Sequence, residues 1–116
     1  MTNYSNLPHE KLYAYQEARE LLRCVQEAKI SDSRLRDQAL RAAISTCLNI
    51  AEGAGRSGLA DKARVYAIAR GECCEAAAAL DIALVAGACN QAPARSGASH
   101  ARAVHALLSG LILRFK

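Results

Sequence analysis

Gly53-Ala54-Gly55-Arg56-Ser57-Gly58 has the G-x-G-x-x-G spacing of a dinucleotide-binding turn. In that turn the glycines stand between a strand and a helix and deliver a pyrophosphate to the helix N-terminus. Here a helical pattern precedes them and no strand-like alternation occurs anywhere, so they read as helix-ending and turn residues. A weaker anion site stays open at the start of the next helix, where Arg56, Lys62 and Arg64 lie near the first amides. Metal chemistry has less to work with. His100 and His105 are five residues apart, not the four that share a helix face. The chain has no H-E-x-x-H, no Cys/His cluster and no paired Glu-x-x-His of a di-metal bundle. Cys24, Cys47, Cys73, Cys74 and Cys89 are odd in number and contain no C-x-x-C, so they read as small buried hydrophobes. Redox chemistry is the alternative for the vicinal Cys73–Cys74 pair. No catalytic residue, metal or cofactor is expected.

Polar residues inside apolar stretches carry a second signal. Asn49 stands among Leu48, Ile50 and Ala51, with Ser45 and Glu52 on the same helix face. Gly71 interrupts the next helix, and Glu75 follows one turn later. Buried polar groups demand partners. Ser45, Asn49, Glu52, Gly71 and Glu75 therefore read as a hydrogen-bond network between the second and third helices, with Gly71 allowing close approach; a polar pocket is the other reading. A buried Asn49 would cost about 1–3 kcal/mol on truncation to Ala.

Charge is the third signal. The formal net charge is +4. Residues 1–81 hold 11 basic and 11 acidic side chains, so the whole excess is Arg95, Arg102, Arg114 and Lys116. These four are either an electrostatic footprint for RNA or DNA or ordinary surface charge. No aromatic stacking platform accompanies them in the sequence.

Helices must position all of these residues. Ala14, Ala18, Leu21, Val25 and Ala28 give a 4-3-4-3 stripe over residues 8–29, with Pro8 in the first turn. Ser31-Asp32-Ser33 supplies caps for a second helix over 33–52, ended by Gly53 in a left-handed conformation. Asp37 and Arg41 are placed to pair along it. Leu59, Tyr66, Ala69, Cys73, Ala76, Leu80 and Ala83 mark a third helix from 59 to as far as 88. Residues 90–97, with Pro93 and Gly97, read as a loop. Ala101, Val104, Leu108 and Leu111 mark a fourth helix over 98–114. Four helices with short connections pack most simply as an antiparallel up-down-up-down bundle.

The 116 residues fit one domain, 1–116, of the all-α class. Twenty-five are alanine and only 4% are aromatic, which favours helices and close helix axes. Residues 76–88 are apolar nearly all round apart from Asp81, more than one bundle face can cover, so a subunit interface is expected there. That stretch is too short to span a membrane, which takes about 18–20 residues. The first twelve residues contain no apolar run of the kind a secretory signal needs, so the cytoplasm is expected.

The run Gln38-Ala39-Leu40-Arg41-Ala42-Ala43-Ile44-Ser45-Thr46-Cys47-Leu48-Asn49-Ile50-Ala51-Glu52-Gly53-Ala54-Gly55-Arg56 resembles the Q-L-R-R-A-x-x-S-I-x-x-N-I-A-E-G-x-G-R stretch of bacterial four-helix-bundle proteins often encoded by intervening sequences in 23S ribosomal RNA genes. Arg64-Val65-Tyr66-Ala67-Ile68-Ala69-Arg70-Gly71-Glu72-Cys73-Cys74-Glu75 is similar to that family's R-F-x-x-I-A-x-G-S-x-x-E, and Glu10-Lys11-Leu12 with Tyr15 and Ala18 fits its first helix. Thr46 and Glu72 depart from the usual Ile and Ser. The resemblance implies an up-down bundle, often in a ring of five. It also brings in a related accessory protein of diversity-generating retroelements, a basic pentameric barrel that binds nucleic acid and a reverse transcriptase. The expected role is therefore a non-enzymatic, oligomeric binding module for nucleic acid or a nucleic-acid enzyme. A protein-only scaffold is the alternative, and an enzyme or metal protein the third reading.

Overall fold

The structure, a computed structural model, describes residues 6–116 as four helices with no strand among them. The leader-free reading of the first twelve residues lies partly outside the described ones. The helices are α1 (Tyr13–Glu27), α2 (Ser33–Gly55), α3 (Leu59–Ala86) and α4 (Gln91–Phe115). Each packs mainly on two neighbours: α1 and α3 both contact α2 and α4. Among the described residues, no helix is long and apolar enough to cross a membrane.

The apolar stripes meet in one core. Ala14, Ala18, Leu21, Val25 and Ala28 of the first stripe are all buried, as are Tyr66, Ala69, Cys73, Ala76, Leu80 and Ala83 on α3. Leu59, expected in the α3 stripe, is exposed at the helix start. On α4 the buried position near the end is Ile112, with Leu111 only partly covered.

Three helix boundaries differ from the sequence reading. Residues 8–11 form a separate turn, closed by Glu10 N–H to Leu7 O and Leu12 N–H to His9 O, both at 3.1 Å. Leu12 then adopts extended backbone as the N-cap, so α1 starts at Tyr13 and Pro8 is not in it. Gly53 does not end α2. The helix runs on to Gly55, and the left-handed residues of the described chain are Lys29 and Gly87, which follow α1 and α3. Finally, 90–97 is not a loop. Asn90 is the N-cap and Pro93 lies in the first turn of α4, where a missing N–H removes no intrahelical bond. Asp32 caps α2 as expected, accepting a 2.8 Å bond from Leu35 N–H.

Two connections are tied together at one end. Asn90 N–H donates to Ala28 O at 2.7 Å, Asn90 Nδ2 to Glu27 O at 3.0 Å, and Ser31 N–H to Ala88 O at 2.9 Å. Carbonyls left over at the ends of α1 and α3 thus find donors in the other connection.

Glycine controls spacing at two places inside helices, and neither is Gly71. A Cβ on Gly97 would lie 2.7 Å from Leu80 Cδ1 and 3.1 Å from Cys24 Cβ, so α4 nests between α1 and α3 only without a side chain there. A Cβ on Gly53 would lie 2.9 Å from the Tyr66 ring. Gly71 faces open space, contrary to the expected close approach. Gly71→Ala is therefore expected to raise stability by up to about 1 kcal/mol through helix propensity. Gly97→Val is expected to lower it by about 1–3 kcal/mol through overpacking. Urea denaturation midpoints moving the same way for both variants would contradict this account of the packing.

Candidate nucleic-acid interface

The five polar residues read from the sequence do not form one network. Asn49 Nδ2 donates to Ser45 O at 2.9 Å and Ser45 Oγ at 3.0 Å, both within α2. Glu52 pairs with Arg56 one turn on. Glu75 and Glu72 reach across to Arg41, at 2.6 and 3.2 Å, and so join α3 to α2. Arg41 thus takes its carboxylate partners from α3 and not from Asp37, while its Nε donates to Gln38 Oε1 on α2 at 3.4 Å. Gly71 touches none of these groups.

The glycine turn between α2 and α3 is occupied by its own side chains. Lys62 Nζ donates to Ala54 O at 2.7 Å and Gly53 O at 3.2 Å, capping the end of α2. Arg56 bridges Glu52 and Asp61, and Arg64 binds Asp61 at 2.8 Å. The Arg64 hydrogen bond, aided by the Arg56 charge, holds the Asp61 carboxyl below its ordinary range. All three cations that made an anion site plausible there are engaged.

On α4 the situation is reversed. Arg95, Arg102, Arg114 and Lys116 are all exposed. Among the described residues, none has a carboxylate within ion-pair distance. At 3.6 residues per turn, Arg95 and Arg102 lie on nearly the same face, about 10 Å apart along the axis. Arg114 is turned roughly 100° from them near the far end, with its guanidinium carbon 5.4 Å from the Phe115 ring centroid. Arg95 and Arg102 thus form one set and Arg114 stands apart from it, so the four cations are not one patch.

Arg102 and Arg114 each line a groove. Arg102 lines a cleft between α3 and α4 of about 360 Å³, with Cys74, Ala77, Asp81 and His105. Cys73 at its floor is buried; its thiol donates to Ala101 O at 3.3 Å, and burial pushes its pKa up to about 12. A thiol that stays protonated is a poor nucleophile, so the vicinal pair is one packed thiol beside the exposed Cys74. Arg114 lines a second groove, between α1 and α4, with Leu12, Tyr13, Leu107 and Leu111. The sequence reading missed Tyr13, which is 72% exposed; its spacing from Arg114 in sequence gives no sign that they meet. The histidines diverge: His100 pairs with Glu17 on α1, and His105 faces the first groove. No group of three or more metal-ligating side chains occurs among the described residues.

Residues 10–110 match the sequence profile of the 23S rRNA-intervening sequence protein family. The chain belongs to that family. No curated protein matches it. The matched range takes in the α2–α3 junction just described. In this member of the 23S rRNA-intervening sequence proteins the glycine after Glu52 seats the Tyr66 ring, and Arg56 braces the turn. Thr46 stands fully buried, its hydroxyl satisfied by Ala42 O at 2.7 Å. Glu72 adds a second carboxylate to Arg41.

Because Asn49 bonds only within its own helix and is half-buried, its loss leaves no cross-helix partner stranded. Asn49→Ala is now expected to shift stability by less than about 1 kcal/mol, below the penalty for an orphaned buried partner. A drop of 2 kcal/mol or more in denaturation (roughly that orphaning penalty) would restore the network reading.

Proposed function

We propose that this family member is a non-enzymatic module that assembles with copies of itself and binds nucleic acid through the cations of α4. The observation that carries the reading is the pairing pattern. Arg23, Arg41, Arg56 and Arg64 have carboxylate partners; Arg95, Arg102, Arg114 and Lys116 have none among the described residues, and although Arg19, Lys29 and Arg34 also have none, only residues 82–116 carry cations with no acid in the same stretch. Unpaired guanidinium groups keep their full charge and donor set for phosphate.

The reading includes an up-down-up-down order of helices. Its support is that contacts run in opposite sequence directions: Arg41 meets Glu75 while Gly53 meets Tyr66, and Ala28 meets Asn90 while Glu17 meets His100. It also includes a closed homo-oligomer, with five subunits the number drawn from the family resemblance. Exposed apolar side chains support assembly: Ile82 and Val85 are 55% and 84% exposed within the segment too apolar to stand free. A ring would repeat the α4 cations around its axis. The same apolar patch is what favours the second reading, a protein-only scaffold whose charge serves solubility. A reverse transcriptase is the kind of protein partner the retroelement relation brings, and the cytoplasm is the proposed location.

Binding that releases counterions weakens with salt. Affinity for single-stranded RNA or DNA is expected to fall roughly three-hundredfold or more between about 50 and 200 mM salt if six or more phosphates are contacted. Arg95→Gln with Arg102→Gln should flatten that slope, and light scattering should give the same oligomeric mass for variant and wild type. No binding at low salt with the oligomer intact would leave the scaffold reading. A monomer at micromolar concentration would remove assembly.

A further inference from the structure

The groove between α1 and α4 differs in kind from two other surface hollows. The α3/α4 cleft mixes Asp81 with Arg102, and the hollow on α2 mixes Asp37 with Arg34 and Arg41. The α1/α4 groove, about 290 Å³, has no carboxylate in its lining. Its walls are Leu12, Leu107 and Leu111, its one charge is Arg114, and its rim holds the exposed ring of Tyr13. Gly110 keeps one side open, since a Cβ there would meet nothing within 4 Å. Lys116 follows two residues beyond Arg114, and Lys11 directly precedes Leu12; both are exposed.

An exposed aromatic ring beside an apolar trough and a free cation suits a ligand that is flat on one side and anionic on the other. A base with its phosphate has that form, and an unpaired base presents its face for stacking. A duplex hides its base faces in the stack and presents only base edges, sugars and phosphates. A fatty acid would fill the trough but has no use for the ring. We propose that this groove takes one base of a single-stranded nucleic acid, with Tyr13 as the stacking surface and Arg114 as the phosphate ligand. The proposal rests on the nucleic-acid reading above and assigns it a place, distinct from Arg95 and Arg102. It also supplies the aromatic platform that the sequence alone does not reveal.

The test is fluorescence anisotropy with the full chain and labelled single-stranded RNA and DNA of about twelve nucleotides, within the general range of single-strand site sizes, each compared with its duplex. Tyr13→Ala should weaken single-strand binding roughly five- to hundredfold, the range for losing one stacked base, and leave duplex binding unchanged. Tyr13→Phe should retain the wild-type affinity, because the ring and not the hydroxyl stacks. Arg114→Gln should reduce the salt slope by about one phosphate contact. Gly110→Leu should block the groove while keeping both ring and charge, and so weaken single-strand binding as Tyr13→Ala does. Circular dichroism confirms that each variant is folded, which the exposure of all three sites allows. Wild-type binding that Tyr13→Ala and Gly110→Leu both leave intact would overturn the groove and spare the wider reading. Absence of wild-type binding at every salt concentration would overturn both.

Discussion

The small size of alanine governs how this protein is put together. Ala18, Ala28, Ala39, Ala42, Ala43, Ala69, Ala76, Ala83 and Ala94 are all fully buried, and they make up much of the surface the helices present to one another. Helix axes approach as closely as the side chains between them allow, so an alanine-lined seam leaves little space for anything bulky. The larger residues Leu21, Ile50, Leu80 and Leu108 then need small residues opposite. Gly97 is the clearest case: Leu80 and Cys24 occupy the volume its side chain would take. Gly53 does the same for Tyr66 at the other end of the core.

Close helices also dictate where charge can go. Long polar side chains have no room in the seams, so they bridge over them, as Arg41 does from α2 to Glu72 and Glu75 on α3. Backbone groups at helix ends are answered by neighbouring connections and by Lys62. These uses absorb much of the charge on the first three helices. Helix α4 has no acid to pair with its cations in cis, and among the described residues its neighbours place none within ion-pair distance of Arg95, Arg102, Arg114 or Lys116. The excess charge is therefore on one helix as a consequence of the sequence, and free as a consequence of the packing.

Much of this was legible in the sequence, because periodicity reports burial directly. The stripes on α1 and α3 and the Asp32 cap follow from residue spacing and capping chemistry alone. The failures have physical causes. Pro93 and Gly97 look like loop residues locally, but a proline in a first turn costs no bond, and a glycine facing a leucine is a packing choice that only the neighbouring helices reveal. Gly53 and Gly71 depart from their local patterns in opposite senses for the same reason: Gly53 packs on Tyr66, and Gly71 has nothing opposite it. The network around Asn49 failed because a shared helix face does not say what lies across from it. The Tyr13–Arg114 groove joins residues a hundred positions apart, and no local pattern records such a meeting.

The division between bracing cations and free ones is the central claim, and the side-chain Nε–Hε resonances of arginine report on it directly. Titrating the labelled protein with a short single-stranded oligonucleotide should move the signals of Arg95, Arg102 and Arg114. Those of Arg41, Arg56 and Arg64, held by carboxylates, should stay in place. Movement confined to the paired arginines, or none at all at low salt, would contradict the account.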